Sequence, residues 1–251
     1  MIFNIAYREL RSLFLSPLAW VMLAVMQGIL AYIFLTQLER FFQLQPQLAV
    51  MQDAPGVTDI VIAPLLGNAA FIFLLMIPLL TMRLISEERR NKTLSLLLSA
   101  PLSMTEIILG KFLAMVVFIA LMVSLLALMP LSLLMGTSVD LGVLVAGLLG
   151  LFLLATSFSA LGLYMSCLTA QPTIAAVSSF GALLLLWIID WSGSVENTAD
   201  TNVLSYLSMV RHYEPMLRGV LNSGDFIYYL LVIVLFVSLS IHRLDAERLS
   251  H

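Results

Sequence analysis

The chain has 251 residues, 61% of them hydrophobic and only 11% charged, with a mean hydropathy of +1.04 and a formal net charge of −3. A soluble domain of this length has no interior large enough for so much apolar surface, and apolar runs of about 18 residues or more recur, as membrane-spanning helices require. The runs are continuous where barrel strands would alternate, and so small a negative charge gives no footing for nucleic acid.

Residues 2–15 (IFNIAYRELRSLFL) place Asn4, Arg8 and Arg11 on one helical face and Phe3, Ala6, Leu10 and Leu13 on the opposite one. That pattern predicts a short helix lying in the membrane interface, represented by Arg8, Glu9 and Arg11, with its arginines toward anionic headgroups. A cleavable signal peptide does not fit, because the following apolar run is too long and no small-residue cleavage site precedes Glu39. Ser16-Pro17 supplies an N-cap and an N1 proline, and a first span follows over about 17–37. Residues 39–59, with Pro46, Pro55 and Gly56 and no sustained period, read as a polar connection. The second span covers about 60–82 and contains Pro64 and Pro78, which a membrane helix tolerates where neighbours satisfy the freed carbonyls.

Residues 83–106 form a polar elbow. Pro101 divides it into two helical halves. Glu88 stands four residues before Lys92, the favourable orientation for a helical ion pair, and Leu94, Leu96, Leu97 and Leu98 follow. Ser103-Met-Thr-Glu106 fits a capping box that opens the next helix. A solvated loop and a docking surface for a soluble partner are both consistent with this run of charge. The third span covers about 107–128. A turn at 135–140 leads to the fourth, 141–167, where Ala146 and Gly150, and Ala155 and Ser159, have the spacing that permits close helix approach. Cys167, the one cysteine, excludes an intrachain disulfide and reads as a packed thiol.

The fifth span covers about 173–191, with Trp187 and Trp191 at its interfacial end and Trp20 marking the opposite interface on the first span. Within 192–225, Leu207, Val210, Leu217 and Val220 recur near helical spacing around Pro215. The segment is too short and charged to span, and is expected to lie on the interface or re-enter partway. The sixth span is 226–241, followed by a short tail. The reading is thus all-α, a single transmembrane domain over 1–251 with six spans. Placing both termini and the elbow in the cytoplasm puts nine of the twelve Lys and Arg inside and leaves Arg40, Arg211 and Arg218 outside.

No span carries an ionisable residue near its middle, against the expectation for an ion-coupled transporter. There is no GxxxxGK[ST] loop, so no nucleotide hydrolysis is expected of this chain, and no catalytic or metal-ligand constellation is visible. His212 reads as structural. Transport would then require an external motor, and the elbow is where one could push. A channel fits less well, since channels line their pores with polar rings or carbonyls.

Three patches resemble the membrane subunit of type-2 ABC transporters, within it the GldF-like permeases. They are YRELRSLFLSPLAWV at the N-terminus, LISEERRNKTLSLLLSAPLSMTEIILGKFLA at the elbow and SMVRHYEPMLRGVLNSGDFIYYL before the last span. At the elbow, Glu87-Glu88-Arg89, Lys92-Thr93-Leu94, Ser99-Ala100-Pro101 and Gly110-Lys111 are in register with the family. Where many members have Gly before the Thr this chain has Lys92, expected to leave the helix more stable. The resemblance implies a non-enzymatic permease in a bacterial inner membrane. It would pair with a second permease subunit, identical or related, and with a separate ATPase subunit that binds ATP and Mg. It also implies ATPase contact through Glu87, Glu88, Arg89, Arg90, Lys92, Thr93, Leu94, Pro101 and Met104. An outer gate segment would include His212, Glu214, Pro215, Arg218 and Gly219. The alternative is a mechanotransmission protein acting on an extracytoplasmic complex, with a periplasmic-domain partner and no solute carried.

Overall fold

The computed structural model describes residues 1–48, 56–93, 103–137, 139–193 and 206–249. Leu94, Leu96–Leu98, Ser99, Ala100 and Pro101, with Asp53 and Pro55, lie outside the described residues. The elements are α1 (Ile2–Leu15), α2 (Pro17–Leu48), α3 (Ala63–Thr81), α4 (Ser86–Arg90), α5 (Met104–Ser132), α6 (Leu141–Leu168), α7 (Pro172–Gly193), α8 (Met209–Leu217) and α9 (Ser223–Leu249). No strand occurs among the described residues. Six helices are long and apolar enough to cross a membrane, those built on α2, α3, α5, α6, α7 and α9. The all-α, six-span reading holds.

Helix α6 is the hub and packs against α3, α5, α7, α8 and α9. Its small residues make this possible. A Cβ on Gly150 would stand 2.7 Å from Met216 Sδ, and one on Gly147 would stand 2.6 Å from Leu66 Cδ1, so neighbouring backbones approach where no side chain intervenes. Ala155 and Ser159 are fully buried on the same helix. Helices α2, α7 and α9 carry many of the exposed apolar side chains, among them Val21, Val25, Leu185, Leu230 and Val234, as lipid contact demands.

Helix ends follow local chemistry. The capping box is present at α5: Ser103 Oγ accepts from the Glu106 N–H at 3.2 Å and Glu106 Oε2 accepts from the Ser103 N–H at 3.1 Å. Asp140 caps α6 by accepting from the N–H groups of Gly142 and Val143. Before α3, a wide turn of π type over Thr58–Ile62 carries the Ala63 N–H to the Thr58 carbonyl, ahead of Pro64, which cannot donate. The Pro64 carbonyl is taken up by Asn68 Nδ2 at 2.7 Å.

Four expectations are corrected. Residues 39–48 continue α2, because Leu, Glu, Arg and Gln there are good helix formers and Pro46 falls in the last turn. The tail after residue 241 is the continuation of α9, supported by Arg243 and Glu247 at i,i+4, 3.7 Å apart. On α1, Phe3 is 79% exposed. The protein-facing stripe is Ile2, Ile5, Ala6, Glu9, Leu10 and Leu13, because Ile5 seats on Gly110 and Glu9 reaches a buried cation. On α8, Leu207 and Val220 are exposed, while Met209, His212, Tyr213 and Met216 form the buried face. The hydroxyl and imidazole groups are buried there because each finds a partner.

Candidate coupling site at the elbow

The elbow helix α4 has five residues, far too few to hold itself in water, so its stability comes from what it touches. Its N-terminal N–H groups have no side-chain cap of their own. Ser166 of α6 supplies one from across the bundle. Its hydroxyl accepts from the N–H groups of Ile85 and Ser86, both at 3.1 Å, and donates to the Met82 carbonyl at 3.1 Å. Every capacity of that hydroxyl is used, and both serines are fully buried.

Lys111, in the second turn of α5, is 1% exposed. Its ammonium lies 2.8 Å from Glu88 Oε1 on α4 and 3.1 Å from Glu9 Oε1 on α1. One buried cation thus ties α1, the elbow helix α4 and α5 together. Burial without partners would be prohibitive for an ammonium, and the two carboxylates make it tenable. Glu88 Oε2 is buried with no hydrogen-bond partner, so the cluster is not fully satisfied. The preceding Gly110 belongs to the same arrangement: a Cβ there would stand 2.7 Å from Ile5 Cγ2. Gly110 lets α1 lie against α5, and Lys111 then bonds what has been brought close.

The other side of α4 is tied to α9. Arg89 Nη2 contacts Glu247 Oε1 and Oε2 at 2.8 and 2.7 Å. After Arg90 the helix closes in a Schellman motif. The Lys92 N–H bonds the Arg89 carbonyl at 3.2 Å and the Thr93 N–H bonds the Glu88 carbonyl at 3.0 Å, with Lys92 in the left-handed region at φ 57°. That position favours glycine. Lys92 therefore ends the helix at a conformational cost, contrary to the expectation that it strengthens it. The Glu88–Lys92 helical pair is likewise replaced, since Glu88 turns inward to Lys111.

Of the expected partner-contact residues, Arg90, Lys92 and Thr93 are exposed together with Asn91. Glu88 and Arg89 are engaged within the chain. Glu87 is half-buried and lines a cavity with residues of α1. Met104 is 2% exposed in the core and has no surface to offer, because the capping box sets it on the stripe that α5 buries. Arg8 and Arg11 point outward from α1, while Glu9 does not. Sequence reasoning named Lys111 only within the Gly110-Lys111 motif and gave it no partner. The signal was there: it stands four after Ile107, three after Ile108 and four before Met115, in the middle of the buried stripe.

On the far side, α8 is held by polar tips. Tyr213 Oη donates to the Leu66 carbonyl at 3.2 Å, and burial pushes its phenol well above the ordinary range. Tyr228 and Tyr229 of α9 donate to the Leu207 and Met209 carbonyls, both at 2.7 Å. His212 lies with Nδ1 2.7 Å from Asp225 Oδ1 and Nε2 3.0 Å from the Tyr206 carbonyl, its ring stacked on Tyr228. Both ring nitrogens are occupied, and among the described residues no three metal-binding side chains converge. Helix α8 ends in a second Schellman motif, where Gly219 takes φ 79° and a Cβ would stand 2.8 Å from Val143 Cγ2. Glu214 and Arg218 are exposed, and Pro215 is half-buried.

Six apolar spans around a small-residue hub, with a tethered polar elbow between the second and third, define a multi-pass α-helical membrane protein. The family model for the ABC-2 family transporter protein matches residues 3–249, and the chain belongs to that family. It is a permease subunit of an ABC transporter, whose family partner is an ATP-binding cassette subunit. No curated protein matches the chain.

Proposed function

We propose that this subunit couples nucleotide hydrolysis in a separate ATPase to movement of its spans, with the elbow as the input and Lys111 as the junction. The elbow side is then cytoplasmic, and the ATPase docks on Arg90, Asn91, Lys92 and Thr93, with Glu87 at the rim. The observation that carries this is the tethering of α4 to three other helices by charge, to α5 and α1 through Lys111 and to α9 through Glu247. A push on so short a helix cannot be absorbed locally, so it moves those helices. ATP and Mg belong to the partner. A second permease subunit completes the pathway, since one apolar bundle makes a poor route for a solute alone. The N- and C-terminal patches support a GldF-like branch in a bacterial inner membrane.

A second reading is movement of an extracytoplasmic complex with no solute carried. The apolar spans favour it, and stimulation of ATP turnover by a solute would overturn it. For the coupling proposal, the triple variant Glu9→Gln/Glu88→Gln/Lys111→Met, assembled with the ATPase subunit in nanodiscs, should bind the ATPase but lose the change in ATP turnover that the permease imposes. Charge reversal at Arg90 and Lys92 should lose binding itself, and Asp59→Asn at the other end of the bundle should affect neither. Normal binding by the reversed pair together with normal turnover in the triple variant would make the elbow a connector only.

A further inference from the structure

A cavity of about 280 Å³ lies where α1, the start of α2, the end of α3 and the elbow helix α4 meet. Its lining residues are of mixed character: acidic Glu9 and Glu87, basic Arg83, Ser12 and Ser16, and apolar residues that include Leu80. Its depth is fixed by the sequence. Pro17 begins the first span and Thr81 ends α3, so the cavity sits at the junction of apolar span and polar surface, at headgroup level. The interfacial helix α1 forms one side of it.

The charges select the ligand. Among the described residues neither Arg83 nor Glu87 takes part in an ion pair, whereas Glu9 shares Lys111 with Glu88. The cavity therefore presents one uncommitted cation and one uncommitted anion, beside a carboxylate already fixed in place. An anionic headgroup would set its phosphate against two carboxylates and a single guanidinium. A quaternary ammonium has no N–H to give those carboxylates. A headgroup with a phosphate and a primary ammonium satisfies both signs: the guanidinium takes the phosphate, and the ammonium's donors reach carboxylate and hydroxyl oxygens. We infer that this cavity binds the headgroup of an aminophospholipid, its acyl chains leaving along the Leu80 wall into the bilayer. The site shares Glu9 and Glu87 with the coupling proposal but does not rest on it, because its evidence is the cavity and not the elbow's exposed face.

The test uses the full chain in detergent, with phosphatidylethanolamine, phosphatidylcholine or phosphatidylglycerol added at equal mole fraction. Native mass spectrometry and thermal unfolding are the readouts. The ethanolamine lipid should be retained preferentially and should raise the unfolding temperature most. The pair Arg83→Gln/Glu87→Gln should weaken that preference about tenfold or more, while Arg90→Gln, outside the cavity, should leave it intact. Ser12→Phe fills the cavity from an exposed position, so loss of the preference in a monodisperse Ser12→Phe protein supports the site even if the charge pair folds poorly. Equal retention of the three lipids, or a preference that survives Ser12→Phe, would overturn it. Glycerophosphoethanolamine that competes as well as the lipid would overturn the lipid reading in favour of a soluble ligand.

Discussion

Removing the ammonium from the Glu9–Lys111–Glu88 cluster tests the physical account of the elbow most directly. Lys111→Met keeps an unbranched side chain one atom shorter and deletes its charge, leaving two carboxylates in each other's field with no cation between them. Breaking a buried pair by removing one member costs about 3–5 kcal/mol. Glu9 and Glu88 retain about a fifth of their side-chain exposure, 19% and 22%, so water relieves part of this. The low end, about 3 kcal/mol, is therefore expected. At roughly 2–4 °C per kcal/mol for a chain of this size, that is a fall of about 6–12 °C in unfolding temperature. The triple variant Glu9→Gln/Glu88→Gln/Lys111→Met removes the charges together and should recover most of the loss, because a buried ion pair contributes little beyond a neutral replacement of similar volume. Differential scanning fluorimetry in one fixed detergent, at one scan rate, measures both. A single variant that loses less than about 2 °C, or a triple variant no better than the single, would show that Lys111 does not hold α1 and α4 as described.

Lys92→Gly should stabilise the protein by up to about 1 kcal/mol, because glycine takes φ 57° without strain; a lower unfolding temperature would refute the Schellman assignment. Gly110→Ala should cost about 1–3 kcal/mol through overlap with Ile5, and Ile5→Ala should rescue it in part. His212→Ala should cost about 1.5–3 kcal/mol by leaving Asp225 without its partner, read by unfolding temperature, and should not change metal content. A cysteine at Lys92 should react with an impermeant thiol reagent in inverted vesicles and stay unlabelled in intact cells; the opposite result would invert the topology.

Spans and caps were legible because each rests on chemistry local in the chain. A run of apolar residues must be buried in lipid wherever it lies, and Ser103 and Glu106 cap α5 with no help from elsewhere. The elbow's charges were legible as a group but not in their pairing. Glu88 has a cation four residues on and chooses one from another helix, because the conformation at Lys92 ends α4 before the local pair can form. Ser166 shows the same limit. Nothing near it in sequence says that its hydroxyl caps a helix 80 residues earlier in the chain. The face of α8 was misjudged because apolarity alone was weighed, whereas Tyr213 and His212 are buried by virtue of their polar partners.

The five-residue elbow helix also has a consequence for biogenesis. Its anchors are distributed from Glu9 on the first helix to Glu247 on the last, so the docking face cannot be rigid while the chain is still emerging. On the coupling proposal, a chain that has inserted its first five spans but lacks the end of α9 offers the ATPase an unlocked surface. A stop codon after residue 241 should therefore yield a membrane-inserted protein that fails to recruit the ATPase. On the coupling proposal, the Arg89–Glu247 pair serves as an inspection point, admitting the ATPase only to a permease whose last helix has arrived.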